Sequence, residues 1–106
     1  MKIQLNEQIK MFDGQVVMDR DSRGNMVELT MRTVLVEGLL RVHPSDERLS
    51  GMEKLRRFNL AKRIYDAVDT IDITIEEIVL LKELIGIKLP VLVVGQVYKI
   101  LEDGLR

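Results

Sequence analysis

Read for its alternation of apolar and polar positions, the chain changes period once, near residue 30. Before that point the pattern has period two. Ile3, Leu5, Ile9 and Met11 share one parity, while Lys2, Gln4, Asn6, Gln8 and Lys10 share the other, and only Glu7 interrupts the apolar face. Such alternation predicts a strand with one buried and one wet side. Asp13-Gly14 supplies a tight hairpin turn, "QVVM" a return strand and "NMVELT" a third, with a second turn over Asp21–Asn25. Residues 1–30 therefore read as an antiparallel β-meander of two to three short strands.

After Thr30 the period becomes helical. Met31, Leu35, Leu39 and Val42 form one stripe, with Thr33, Glu37 and Arg41 opposite and Glu37–Arg41 placed as an i,i+4 pair. Gly38 costs this helix a little, and "HPSDER" ends it at Pro44. Ser50 and Glu53 fit a capping box that opens a second helix, with Leu55, Phe58, Ala61, Tyr65 and Val68 along its core face. Thr74 and Glu77 repeat the box for a third helix, stapled by Ile73 and Ile78, which runs to about Ile85 with Gly86 as its stop. The last segment reads as a helix from Pro90 through Glu102, with Gly104 beyond its end, because Val94, Tyr98 and Leu101 recur at helical spacing. Val91, Val93, Val94 and Val97 are β-branched and leave a buried strand open, and Glu102 and Asp103 oppose a helix dipole. The predicted class is α+β: one domain, 1–106, with a meander over 1–30 and three to four packed helices over 31–106.

Composition narrows the functions. With 106 residues and 46% hydrophobic positions the chain can bury a core. Sixteen Lys+Arg against 17 Asp+Glu leave a formal charge of −1, which gives no global attraction to nucleic acid or an anionic membrane. The absence of Cys excludes disulfides, thiolate metal sites and cysteine nucleophiles. "MKIQLNEQIK" lacks the apolar run of a signal peptide, and no apolar stretch reaches the roughly 20 residues of a membrane span.

The candidate chemistry is sparse. Asp19, Asp21 and Gly24 mimic the start of a calcium loop, but Arg23 stands where an oxygen ligand belongs and Thr30 where the closing glutamate belongs. That stretch is read as a turn, and no metal or cofactor is expected. His43, Ser45 and Asp46 are loop neighbours that cannot converge as a triad. Glu76 and Glu77 are adjacent on a helix and do not face each other, and Gly86 and Gly95 form no phosphate loop. No catalytic residue is nominated.

Two surfaces remain. "KLRRFNLAKR" places Arg56 and Arg63 seven residues apart on one helix face, with Asn59 between and Lys62 at the edge, where they could meet phosphates or an acidic partner. The solvated outer face of an amphipathic helix is the favoured explanation of them, and Phe58 and Tyr65 on the core side are poorly placed to stack on bases. The C-terminal third, by contrast, is apolar nearly all round. Leu80, Leu84, Val91, Val94, Tyr98 and Leu101 are therefore either the domain's centre or a patch that a second copy or another protein covers.

Three stretches resemble a group of small proteins encoded by tailed bacteriophages and prophages. They are EK-x-x-R-x-x-LA-x-x-I at Glu53–Ile64, T-x-EEI-x-L-x-K-x-LIG at Thr74–Gly86 and VVGQ-x-x-x-x-LE at Val93–Glu102, within residues 30–104. The resemblance implies a phage-encoded accessory protein acting in the host cell cytoplasm or in the virion, and brings no catalytic residues with it. The expected function is a non-enzymatic, self-associating interaction module whose partner is itself or a phage or host protein, with the apolar C-terminal helical pair at Leu80, Leu84, Val91, Val94, Tyr98 and Leu101 as its contact surface. The alternative is a nucleic-acid-associated accessory protein using Arg56, Lys62 and Arg63.

Overall fold

The computed structural model describes residues 1–103; the expectation at Gly104 lies outside them. Three short strands, β1 (Lys2–Gln4), β2 (Met18–Arg20) and β3 (Met26–Glu28), precede helix α1 (Met31–Leu40) and a 3₁₀ turn (Pro44–Arg48). Helix α2 (Gly51–Asp66), strand β4 (Thr70–Asp72), helix α3 (Ile75–Lys88) and helix α4 (Val91–Asp103) follow. The class is α+β, with the last segment helical.

The N-terminal strands do not form one continuous meander. β2 and β3 pair as an antiparallel hairpin, Met18 opposite Glu28 and Arg20 opposite Met26. The first segment divides at its polar interruption around Glu7. Its second half bridges Lys10 to Val16 and Gln8 to Thr30. Its first half, β1, pairs instead with β4, Ile3 opposite Ile71, closing the chain across 68 residues. The signal for β4 is the alternation Thr70-Ile71-Asp72-Ile73, too brief to stand out from a linker. Both turns form with left-handed glycines, Gly14 at φ 88° and Gly24 at φ 82°. Ile3, Leu5 and Ile9 are buried as the alternation requires, whereas Met11 lies half exposed beside the fully exposed tip residue Phe12.

α1 runs through the middle of the domain, packed on both α2 and α3. It buries Met31, Val34, Leu35 and Leu39. Gly38 lets it approach α3 closely, since a Cβ there would stand 2.6 Å from Ile85 Cγ1. α1 ends at Leu40, so Val42 is outside the helix and exposed rather than on its buried stripe. At the N-terminus of α2 the Ser50 hydroxyl accepts from the Glu53 N–H at 3.1 Å. The reciprocal half of the expected capping box is missing there, because the Glu53 carboxylate turns to Arg56 and Arg57. α3 has the complete box: Thr74 Oγ1 accepts from Glu77 N–H at 3.1 Å, and Glu77 Oε1 accepts from Thr74 N–H at 2.9 Å. Ile73 and Ile78 are both buried beneath it.

Gly86 does not stop α3, which continues to Lys88 before Pro90. The glycine is instead a contact position, because a Cβ there would collide with the Tyr98 hydroxyl of α4, which donates to the Lys82 carbonyl. α4 is tied to the N-terminal segment by Gln96. Its side-chain amide accepts from Lys10 N–H at 2.8 Å and donates to Lys10 C=O at 2.6 Å, completing that strand's edge as a neighbouring strand would.

One side chain ties the start of α1 to the end of α2 and to the segment after β1. The Arg32 guanidinium, at the start of α1, donates to the carbonyls of Ile64 (2.8 Å), Tyr65 (3.1 Å), Ala67 and Val68 (2.6 Å), and to Asn6 Oδ1 (3.2 Å). Helix C-termini leave carbonyls without intrahelical donors and carry partial negative charge. Arg32 satisfies both demands for α2. Arg32→Lys should therefore lower stability by about 2–3 kcal/mol, since a single ammonium cannot reproduce the planar fork. Chemical denaturation checks the loss, and unchanged stability would contradict the clamp.

Candidate functional site

α2 carries two apolar arcs at helical spacing, and the structure buries mainly the one not expected to face the core. Leu60, Ala61 and Ile64 face the core. Leu55, Phe58 and Tyr65, expected on the core side, are 47%, 56% and 69% exposed, and Val68 beyond the helix is 81% exposed. The reason lies in Arg57, which shares the inward side of the helix and is nearly covered. It reaches Asp46 of the 3₁₀ turn at 3.2 Å and Glu53 at 3.8 Å, so charged groups fill the space beneath the first turns of α2. The second arc is left facing outward.

Beside that arc runs a shallow groove. Val36 and Leu40 of α1 form one wall and Phe58 and Tyr65 of α2 the other, with Ala61 as floor, around a hollow of ≈ 280 Å³. Through Leu40 and Phe58 it continues into a second hollow of ≈ 530 Å³, bounded by Val42, Pro44 and Leu49 and by Asp46, Lys54 and Arg57. The polar end of this second hollow is the 3₁₀ turn. There Ser45 N–H donates to His43 Nδ1 at 3.1 Å, and His43 N–H donates to Asp46 Oδ2 at 2.9 Å. Ser45 Oγ also lies 2.8 Å from His43 Nδ1, but Asp46 binds the backbone of His43 and not its imidazole, so the three residues cap a helical turn and lack the carboxylate–imidazole contact of a triad.

Behind the turn Lys88 Nζ lies 3.6 Å from Asp46, with its side chain almost wholly buried. Lys88 Nζ and Arg57 Nε have no hydrogen-bond acceptor among the described residues. Burial, reinforced by the Arg57 and Arg41 charges and opposed by Asp46, holds the Lys88 ammonium below its ordinary value of 10.5. Desolvation pushes the Asp46 carboxyl up, but the His43 N–H, Lys88 and Arg57 outweigh it and hold it below its ordinary 3.8. Glu77, desolvated yet bonded to Thr74 and Arg63, is likewise held below 4.5.

The residues nominated from sequence divide clearly. Leu84 and Leu101 are 3% and 0% exposed and belong to the core between α3 and α4. Leu80, Val94 and Tyr98 are half-buried in the same packing, and Lys82 sits 4.8 Å above the Tyr98 ring. Val91 alone of that set is fully outside. The three cations are engaged by neighbours: Arg56 with Glu53 at 3.2 Å, Lys62 with Asp66 at 2.8 Å, and Arg63 with Glu77 at 2.7 Å and the Asp72 carbonyl at 3.1 Å. Arg63 thereby links α2 to the cap of α3. The stretch that mimicked a calcium loop is closed by its own backbone, Asp21 Oδ1 accepting from Arg23 and Asn25 N–H at 2.9 Å each. No cluster of three or more His, Cys, Asp or Glu side chains that could hold a metal occurs among the described residues. Among them, too, no helix is long and apolar enough to cross a membrane.

Comparison with protein-family models, with curated proteins and with solved structures yields no match for this chain.

A carboxyl whose folded pKa is depressed stabilises the fold in full above its unfolded value and loses that contribution as pH falls through the folded one. Asp46 and Glu77 place this loss below their ordinary values of 3.8 and 4.5. Asp46→Asn should reduce stability at neutral pH and flatten the acid limb of a Tm-against-pH profile. Parallel limbs for variant and parent would show that the Lys88–Asp46–Arg57 cluster is not the acid-sensitive element.

Proposed function

We propose that this chain is a non-enzymatic accessory protein of phage origin that works by occupying a protein surface, and that its contact face is the outward side of α2 with the groove against α1. One observation carries the reading. Leu40, Val42, Phe58 and Tyr65 are all exposed around one connected groove, in a domain whose other large apolar side chains mostly reach a shared core. A contiguous apolar face rimmed by polar residues is the usual mark of a protein contact. Two of its residues are aromatic, the type that anchors such contacts.

The motif likeness of α2, α3 and α4 to small phage-encoded proteins supplies the setting, in the host cytoplasm or in the particle. The contact face moves from α3–α4, where sequence placed it, to α1–α2, because Leu84 and Leu101 are spent on the core. A nucleic-acid role gains no support from Arg56, Lys62 and Arg63, whose charges are already neutralised by Glu53, Asp66 and Glu77.

The test uses a photo-reactive p-benzoylphenylalanine placed at Phe58, at Tyr65, or at Val79, an exposed α3 position, in cells producing the protein during phage growth. Discrete protein adducts are expected from positions 58 and 65 and none from 79. No adducts from 58 and 65, or the same adducts from all three sites, would refute the assignment.

A further inference from the structure

The two hollows of the groove differ in charge. The smaller one holds a single cation, Lys62, which Asp66 already engages at 2.8 Å. The larger one, of ≈ 530 Å³, backs onto the ion cluster of the 3₁₀ turn. There four cations, Arg41, Arg56, Arg57 and Lys88, share three carboxylates, Glu37, Asp46 and Glu53. The shortfall shows in the hydrogen bonds, because Arg57 Nε and Lys88 Nζ are buried with no acceptor among the described residues. Arg48 and Lys54 are exposed and pair with no carboxylate among those residues, and Glu47, also exposed, is the one acidic group set against them at the turn. Six cations thus face four carboxylates, a local excess of two in a chain whose formal charge is −1. His43 adds a neutral donor: Ser45 N–H occupies its Nδ1 at 3.1 Å, which leaves the ring proton on Nε2.

We infer that the partner meets this face with an acidic, apolar segment of another protein, a bulky apolar side chain entering the larger hollow and a neighbouring carboxylate meeting Lys54, Arg57 and His43. This rests on the contact face proposed above and names the chemistry of its occupant. Leu40, Val42, Leu49 and Phe58 supply the apolar walls. Leu40 and Phe58 border both hollows, so one stretch of chain can run from the larger into the smaller. A basic segment would add charge where cations are already in excess. A neutral one would cover Lys54 and Arg57 without giving them an acceptor. The incoming carboxylate supplies what Asp46 cannot, since Asp46 already accepts from His43 N–H and faces both Arg57 and Lys88.

The photo-adducts formed at position 58 during phage growth provide the test, with the crosslinked peptide of the partner identified by mass spectrometry. Asp and Glu should outnumber Lys and Arg in the residues flanking the crosslink. Lys54→Glu should lower the adduct yield about ten-fold, by setting like charges together across the contact. Lys54→Arg, which keeps the charge, should hold the yield, and so should Lys99→Glu, the same charge change at an exposed position of α4. Circular dichroism checks that each variant is folded. Flanks without an acidic excess, adducts that join two copies of this chain, or a yield that Lys54→Glu leaves unchanged or that Lys99→Glu lowers equally would overturn the inference and leave the contact face standing. No adducts from the parent would remove both.

Discussion

The fold depends on Arg32. Its guanidinium collects four carbonyls from the end of α2 and the segment after it, together with the Asn6 side chain. The same region is closed by Leu5 N–H to Asp69 C=O and Arg32 N–H to Leu5 C=O, both at 2.9 Å. The direction in which the chain leaves α2 is therefore fixed from α1. That direction delivers Thr70–Asp72 to the edge of β1 and sets Thr74 where α3 must begin. Each acceptor would otherwise stand at a helix end or turn with no donor, and a charged, pre-formed fork fills that need better than several separate bonds.

Arg32 holds one end of α2, and the Asp46–Arg57 pair holds the other. Between them Leu60, Ala61 and Ile64 pack inward. A helix fixed at both ends and by one side cannot roll to bury a second apolar arc. The exposure of Phe58 and Tyr65 is thus a consequence of how α2 is anchored, and the face proposed above for contact follows from the same contacts that build the fold. Burying a lysine and an arginine around one aspartate is an unusual way to seat a helix. It keeps the inward side beneath the first turns of α2 from accepting Leu55 or Phe58.

What sequence revealed was what neighbouring residues decide. The turns at Asp13-Gly14 and Asp21–Asn25, the Thr74 cap, the Glu37–Arg41 pair and the break at Pro44 all involve groups within a few positions of one another. What it concealed depends on distant partners. Arg32 looks like any charged residue in a helical stripe until the end of α2 is brought to it. Gly86 reads as a helix stop because a stop and a close approach call for the same residue, and only Tyr98 distinguishes them. On α2 both arcs had helical spacing, so the choice rested on where Arg57 finds its carboxylates. The α3–α4 apolar excess could be read from sequence either as the domain's centre or as a contact patch. Its resolution as core required the N-terminal strands and α1 to enclose it.

The central claim is that the outward face of α2 with its groove against α1 is a contact surface. Hydroxyl-radical footprinting of the protein in cells during phage growth, set against the purified protein, addresses it most directly, with the fully exposed Phe12 at the hairpin tip as internal reference. Oxidation of Phe58 and Tyr65 should fall relative to Phe12 in the cells, while Tyr98 holds steady. The same labelling in both settings, or protection confined to Tyr98 and α4, would contradict it.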